Sequence, residues 1–164
     1  MKIVAVGCEY SGVSSLIAQI DHWGNERGIQ HHLDDHFTIP DAFHLDKEEQ
    51  QAMLQMLPAI KERFQRFQIV YHVRLLHRYN HILMGGFHVE EAVYGPRYYY
   101  PGINVQIREY GPDMPDDVIL VHLYARPDVI RERINNTPHP HQIILNSDIE
   151  SLLDQFDYQV KQSW

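Results

Sequence analysis

Cysteine is almost absent from this sequence, since Cys8 is the only one among its 164 residues. A single thiol cannot form an intrachain disulfide, which excludes the small extracellular domains that disulfides hold together and favours a cytoplasmic protein. Long apolar runs are missing too. No stretch of about eighteen apolar residues occurs, and residues 1–6 have neither a cationic leader nor a cleavage-site pattern. We therefore expect no membrane contact.

Basic residues are also few. The chain has 14 lysines and arginines against 22 aspartates and glutamates, and its formal net charge is −8. General nucleic-acid binding usually needs a basic surface that displaces counterions, so this function is disfavoured, whereas a small anionic substrate could still bind in a local pocket. The hydrophobic fraction of 44% and the charged fraction of 22% are those of a globular protein, and the length predicts one domain over residues 1–164.

Short apolar runs alternate with helical patterns along the chain. Buried strands are predicted at residues 2–6, 30–33, 81–84 and 118–124, with a candidate fifth at 142–145. Helices are predicted at 14–22, 46–56, 58–78, 127–134 and 147–160, and Asp46 with Glu49 and Ser147 with Glu150 have capping-box spacing. Residues 94–115, rich in Tyr, Gly and Pro, are expected to be irregular. This order predicts an α/β fold of three layers, namely a parallel sheet of about five strands with helices on both faces. Such a fold binds ligands beyond the carboxyl ends of its strands.

The longest predicted helix, residues 58–78, carries two patterns. Its predicted buried stripe consists of Ile60, Phe64, Phe67, Tyr71 and Leu75. Its basic residues Arg63, Arg66, Arg74 and Arg78 fall roughly on one side. They predict either a solvated face or forked donors for a phosphate group.

The segment that joins the first strand to the first helix is the strongest functional signal. Its sequence, Gly7-Cys-Glu-Tyr-Ser-Gly12-Val-Ser-Ser15, has the two glycines and the hydroxyl of the phosphate-binding pattern GxxxxGK[ST]. Glycines allow successive N–H groups to point inward, and the helix that follows adds its positive end. Val13 stands at the lysine position. The alternative is a strand-to-helix turn that merely uses glycines.

The chain resembles the P-loop nucleoside and nucleotide kinases, especially thymidylate-kinase-like proteins. These kinases have a stretch that begins with Asp-Arg and continues Phe-His-x-Ser-Glu-x-x-Tyr-Gly. In the segment 84–95 of this chain, the residues His88, Glu91, Tyr94 and Gly95 match that stretch. The Asp-Arg pair falls on Gly85 and Gly86, and the serine falls on Glu90. A third match, Leu-Tyr-Ala-Arg-Pro-Asp at 123–128, leads to Arg131 and Arg133 and then to a short lid at 135–141.

The resemblance implies ATP-dependent phosphoryl transfer, with magnesium, to a nucleoside, nucleotide or similar small acceptor. The loop residues that would bind the nucleotide are Gly7, Ser11, Gly12, Val13, Ser14 and Ser15, and Ser14 and Glu90 would hold the metal. The candidate catalytic residues are Asp34, Asp35, Glu90, Glu91, Arg126 and Arg131, with one of the two arginines expected to reach the loop in place of the lysine. The candidate acceptor-binding residues are Arg63, Arg66, Arg74, His88, Tyr94 and Arg97.

Other functions stay open from the sequence. The chain could be a nucleotide-binding or scaffold protein that keeps the kinase fold without catalysis. A metal protein is a further alternative, because there are 12 histidines, among them His31, His32, His36 and His44, although their spacing fits no standard zinc pattern. Three consecutive tyrosines, Tyr98 to Tyr100, could stack on a base, pack locally or support a homodimer.

Overall fold

The computed structural model describes residues 1–36, 39–40, 44–103, 113–139 and 142–163. The strands are β1 Lys2–Gly7, β2 His32–Asp35, β3 Ile82–Gly85 and β4 Val118–Leu123. The helices are α1 Val13–Asn25, α2 Lys47–Gln55, α3 Pro58–Arg78, α4 His88–Tyr94, α5 Pro127–Asn136 and α6 Ile149–Gln162, and a π-helical turn, Gly95–Tyr99, follows α4. In these ranges no helix is long and apolar enough to cross a membrane.

The strands form one parallel sheet in the order β2-β3-β1-β4. Every residue of β1 and β3 is buried, as the unbroken apolar runs predicted. The predicted parallel α/β architecture is confirmed, but within the described residues the sheet has four strands instead of about five. The candidate strand at 142–145 is wrong, because the backbone N–H groups of Ile143 and Ile144 donate to the carboxylate of Glu9 and not to a neighbouring strand.

The carboxyl ends of the inner strands lie side by side. Ala5 is in register with Gly85, and Gly85 with Asp35. The ladder continues one step beyond the strands, since the N–H of Gly86 donates to Ala5 and the N–H of His36 donates to Gly85, at 2.9 and 3.0 Å. The loops after β1, β2 and β3 therefore begin at one edge of the sheet, which is where a parallel α/β fold binds ligands.

Of the two predicted capping boxes, one is present. The carboxylate of Asp46 accepts the N–H groups of Glu48 and Glu49, and the side chain of Glu49 accepts the N–H of Asp46. At α6 the cap residue is Asp148, whose side chain makes no cap hydrogen bond, so the box predicted from Ser147 is wrong.

Helix α3 turns a different face to the core than its apolar spacing predicted. Of the predicted stripe only Leu75 is buried, while Ile60, Phe64, Phe67 and Tyr71 are 42 to 75% exposed. The buried residues include Lys61, Glu62, Gln65, Gln68, Ile69, His72 and Leu76. A mostly polar face can be buried where its groups find partners. Here the Glu62 carboxylate accepts a forked pair of hydrogen bonds from Arg66, and His72 contacts Asp34.

Candidate functional site

The loop between β1 and α1 folds tightly over the end of β1. The N–H of Ser11 donates to the carbonyl of Cys8, and the N–H of Glu9 donates to the hydroxyl of Tyr94, at 2.9 and 2.8 Å. A β-carbon at Gly7 would lie 2.6 Å from the backbone carbonyl oxygen of Leu123, so this position requires glycine. Gly12 has φ +109°, a backbone conformation that side chains disfavour.

This loop leaves a helix N-terminus without a protein cap. Helix α1 starts at Val13, and no side chain makes a cap hydrogen bond there. The Ser11 hydroxyl is buried and has no hydrogen-bond partner among the residues that the structure describes. Unpaired N–H groups and the helix dipole attract anions. A helix start without a side-chain cap is a place where an anion can bind, and the binding of phosphate by the predicted residues 7 and 11–15 stays a prediction.

Arg133, from α5, brings a cation to this loop. Its guanidinium donates to the carbonyl of Tyr10 and lies 3.9 Å from the position that a β-carbon at Gly12 would take. Arg126 and Arg131, which the sequence favoured, instead pair with Asp128 and Glu150. Residues 131 and 133 lie about 200° apart around a helix of 3.6 residues per turn, so when one faces the loop the other faces away.

Two carboxylates fill the space beside the glycine pair that follows β3. A β-carbon at Gly85 would lie 2.8 Å from Asp35 Oδ1, and one at Gly86 would lie 2.7 Å from Glu90 Oε2. The Glu90 carboxylate also accepts the N–H of Gly7. Burial, followed by the charges of Asp35 and Glu9, raises the pKa of Glu90 well above its ordinary value. Acidic groups from β2 and α4 thus stand where the resemblance expected the side chains of an Asp-Arg pair.

Glu9 joins the loop to the segment that follows α5. Burial raises the pKa of Glu9 to about 7, although the N–H groups of Ile144 and Ile143 act against this shift. Its neighbour Tyr10 donates to Gln142 at 2.8 Å and accepts the N–H of His139, whose ring stacks on it. The short segment at the predicted lid position therefore contacts the loop directly.

The raised pKa of Glu9 predicts a pH dependence of stability. Its folded value of about 7 exceeds the ordinary value of 4.5, so between these pH values the folded chain binds more protons than the unfolded chain. The free energy of unfolding should then fall as pH rises from about 5 to 7, by up to about 3 kcal/mol. Urea unfolding at pH 5 and pH 7.5 measures this loss. Glu9→Gln should reduce it, and an equal loss in the variant would contradict the assignment.

A series of polar side chains in contact with one another connects the end of β2 to α3 and α4. His36 Nε2 lies 2.6 Å from Glu91 Oε2, and the hydroxyl of Tyr100 donates to the other oxygen of Glu91. The other nitrogen of His36 lies 3.4 Å from His72 Nδ1, and His72 Nε2 lies 3.5 Å from Asp34. Burial acts to raise the pKa of Asp34, but the hydrogen bond and charge of His72 outweigh it and lower this pKa. Histidines therefore contact both Glu91, which is buried, and Asp34, which is partly buried.

Two further buried polar atoms lie near this series. The side-chain oxygen of Gln68 and the hydroxyl of Tyr99 have no hydrogen-bond partner among the described residues. Gln68 is one helical turn before His72 on the same face of α3. Burial and the charges of Glu91 and Glu90 raise the pKa of Tyr99 well above its ordinary value. These atoms could bind a polar ligand.

Most predicted acceptor-binding residues contact other groups of the protein or are exposed to solvent. His88 is buried against Ser163, Tyr94 supports the loop through Glu9, and Arg97 pairs with Asp148 and donates to Ser151. Arg63 and Arg74 are exposed, nearly opposite His72 on the wheel of α3, and Arg66 binds Glu62. The tyrosines Tyr99 and Tyr100 are both buried, so their rings pack inside the protein.

Sequence reasoning missed Arg133, Glu9, Gln68 and His72 as site residues. Their only signal was positional: Glu9 lies inside the loop motif, and Gln68 and His72 are four residues apart on one helix. The histidines form no metal centre of their own, since within the described ranges no group of three or more His, Cys, Asp or Glu side chains could hold an ion.

Comparisons with known proteins bear on the fold. No family model matches the chain, and no curated protein matches it. Among solved structures it is similar to the YorR protein of Bacillus subtilis in complex with phosphorylated GDP, with a TM-score of 0.62, 14% identity and coverage of 99% of this chain and 81% of that one. It is also similar to deoxyadenosine kinase from M. mycoides with bound dATP, with a TM-score of 0.60, 17% identity and coverage of 99% and 85%.

Proposed function

We propose that this chain, which has the fold of the P-loop nucleoside and nucleotide kinases, binds ATP at residues 7–15 and transfers the terminal phosphoryl group to a nucleoside, nucleotide or similar small acceptor. The observation that carries the proposal is the uncapped start of α1, with the buried Ser11 hydroxyl beside it and the guanidinium of Arg133 against the same loop. Together these groups supply neutral donors and one positive charge to a phosphate chain.

Arg133 compensates for the missing lysine in this proposal. In related chemistry the protein stabilises a transition state whose negative charge spreads over the transferred group, and the required charge can come from an arginine. Val13 offers only its N–H. Arg133, which approaches Gly12, would neutralise the phosphate chain from the side of the loop that α5 covers.

Magnesium would be held by phosphate oxygens, water and few protein groups, as is usual for this ion. The residues that fit are Ser14, by its place in the motif, and Glu90 of α4, whose carboxylate lies beside Gly86 and accepts the N–H of Gly7. The bound ion would draw charge from the phosphate chain. It would also favour the ionised form of Glu90, whose pKa burial raises.

The acceptor would occupy the space between the start of the loop, β2 and α3. For a hydroxyl acceptor, Asp35 would take the proton while the oxygen attacks the terminal phosphorus, and the bond to the bridging oxygen breaks to release ADP. Asp34, the other predicted carboxylate after this strand, contacts His72. Gln68 and Tyr99 have the buried polar atoms that could orient the acceptor.

A protein that binds the nucleotide without transferring phosphate is the second candidate. One observation favours it, namely Val13 at the lysine position. Both candidate functions need the loop to bind the nucleotide. They differ in whether a positive charge stabilises the phosphoryl group during its transfer.

The proposal is tested by binding and by transfer. ATP with magnesium at millimolar concentration should raise the melting temperature by several degrees, because a ligand that binds only the folded chain stabilises it. Magnesium alone is the control. Labelled terminal phosphate should then appear on at least one member of a panel of nucleosides and nucleoside monophosphates. Stabilisation without transfer would favour the binding protein, and no stabilisation would contradict the role of the loop.

A further inference from the structure

We infer that His72 and His36 are positioning residues for Asp35, and that they hold it through Asp34 with one proton more than two neutral imidazole rings carry. The inference rests on the proposed function, in which Asp35 takes the proton of the acceptor. The two rings are called the histidine pair. His72 belongs to α3 and His36 follows β2, and both are buried, with exposed fractions of 1% and 4%.

The histidine pair reaches Asp35 through one oxygen atom. Oδ1 of Asp34 accepts the N–H of Asp35 at 2.9 Å, and the same atom lies 3.5 Å from Nε2 of His72. The N–H of His36 donates to Gly85 of β3, so the N–H of Asp35, one residue earlier in the strand, points away from β3 and finds its partner in Asp34. His72 therefore fixes the carboxylate on which the backbone of Asp35 depends.

The three contacts that involve the pair need more hydrogens than neutral histidines have. They join Asp34 to His72, His72 to His36, and His36 to Glu91. Each contact needs one hydrogen between its two atoms, and two neutral rings supply only two, because a neutral imidazole has a single N–H. The hydroxyl of Tyr100 adds none, since its hydrogen lies on the second oxygen of Glu91. With both carboxylates ionised, one ring must therefore be an imidazolium with two N–H groups.

The surroundings favour His36 as the imidazolium. Burial lowers the pKa of His72 despite its hydrogen bond to Asp34, and the charge of His36 acts in the same direction as burial. A neutral His72 donates its one hydrogen from Nε2 to Asp34 and accepts on Nδ1. His36 then donates from both nitrogens, to His72 and, at 2.6 Å, to Glu91.

The ionisable groups around the pair are compatible with this assignment. Burial, followed by the charge of His36, lowers the pKa of His88 to about 3, so His88 adds no competing positive charge. The carboxylates of Asp34 and Glu91, which flank the pair, favour its charged form. The other ionisable groups near the pair, in the part of the chain that the structure describes, are His32 and Asp35 of β2, Tyr71 of α3, Glu90 of α4, and Tyr100.

Release of the third proton should loosen Asp35. One contact of the series would then have no hydrogen, and two lone pairs would face each other inside the protein, which is unfavourable. Asp34 could turn toward solvent, and the N–H of Asp35 would lose its partner. The pair holds the proton at lower pH and releases it as pH rises, so the positioned form of Asp35 should be lost at alkaline pH.

The first test measures the rate of phosphoryl transfer. His72→Phe fills similar space but cannot bond to Asp34, so kcat should fall by roughly tenfold to a hundredfold, as small misplacements of reacting groups do. KM for ATP should stay unchanged, because the loop at 7–15 is untouched. His72→Gln keeps a donor for Asp34 and an acceptor for His36, and should restore kcat to within about threefold of the wild type. His32→Phe removes the histidine beside the other oxygen of Asp34 and is the matched control, which should keep the wild-type rate.

The pH profile of kcat separates positioning from packing. In the wild type kcat should fall by about tenfold from about pH 7 to about pH 9, whereas His72→Phe, in which the series is already broken, should change little over this range. The inference is overturned, while the proposed function stands, if His72→Phe matches the wild type in rate and pH profile. It is also overturned if His72→Gln is as slow as His72→Phe.

The second test does not depend on catalysis. Ring-nitrogen chemical shifts of the full chain near neutral pH should show His36 protonated on both nitrogens and His72 unprotonated on Nδ1, and they need no variant, so they decide the proton count even if His72→Phe does not fold. Amide hydrogen exchange at Asp35 should be about tenfold faster in His72→Phe and unchanged in His32→Phe. Two neutral rings, or unchanged exchange at Asp35, overturn the inference. A wild type that transfers no phosphate would contradict the proposed function, and these measurements would still decide whether the pair holds Asp35.

Discussion

Arg133→Ala should lower phosphoryl transfer from ATP by about a thousandfold, which is the lower end of what an arginine at a transferred phosphate contributes. Arg133 is exposed on α5, and its guanidinium donates to the carbonyl of Tyr10. Its removal should therefore change the melting temperature by only a few degrees. Initial rates with the best acceptor, together with a thermal melt, measure both quantities.

Two further variants test which property of Arg133 matters and whether the effect is specific to this residue. Arg133→Lys keeps one positive charge but loses the forked donor, so its rate should lie between those of the wild type and Arg133→Ala. Arg131→Ala removes an arginine of the same helix that pairs with Glu150. If this change costs as much activity as Arg133→Ala, the loop does not draw its charge from Arg133.

Gly12→Val should abolish the stabilisation of the chain by ATP. A β-branched residue at φ +109° must either carry backbone strain of about 1–3 kcal/mol or change the path of the loop. In the second case the N–H groups at the start of α1 no longer converge. The measurement is the ATP-dependent shift in melting temperature at several nucleotide concentrations.

A matched glycine makes this experiment specific. Gly28 also has positive φ, at +71°, and a β-carbon there would meet no atom within 4 Å. Gly28→Val should therefore lower stability through the same kind of strain while keeping the full response to ATP. A response that survives in Gly12→Val would show that ATP binds elsewhere.

Local signals in the sequence were sufficient to predict the part of the site that lies between β1 and α1. The strand, the glycine loop and the first helix are contiguous, and their conformation depends on residues within about a dozen positions of each other. The Asp46 capping box was predictable for the same reason, because its partners are three residues apart. The parallel sheet followed from the order of apolar runs.

The rest depended on contacts between distant parts of the chain. Periodicity located an apolar face on α3, but the buried side was decided by partners for His72 and Glu62 that the spacing does not reveal. Arg133 was overlooked in favour of its neighbour Arg131, because the helical phase of α5 relative to the loop is a tertiary property. The end of β2 was also displaced by two residues from its predicted position, from 33 to Asp35.

The contacts of Gly85 and Gly86 have a consequence for how this sequence can vary. Asp35 Oδ1 and Glu90 Oε2 lie within 3 Å of the positions that β-carbons at Gly85 and Gly86 would take, so a side chain at either glycine requires its acidic neighbour to adopt another rotamer. Gly86 also has φ +72°, a conformation that side chains disfavour. A substitution at either glycine is therefore expected to move a carboxylate as well as to add a side chain, and tolerance at positions 85 and 86 should depend on the residues at 35 and 90.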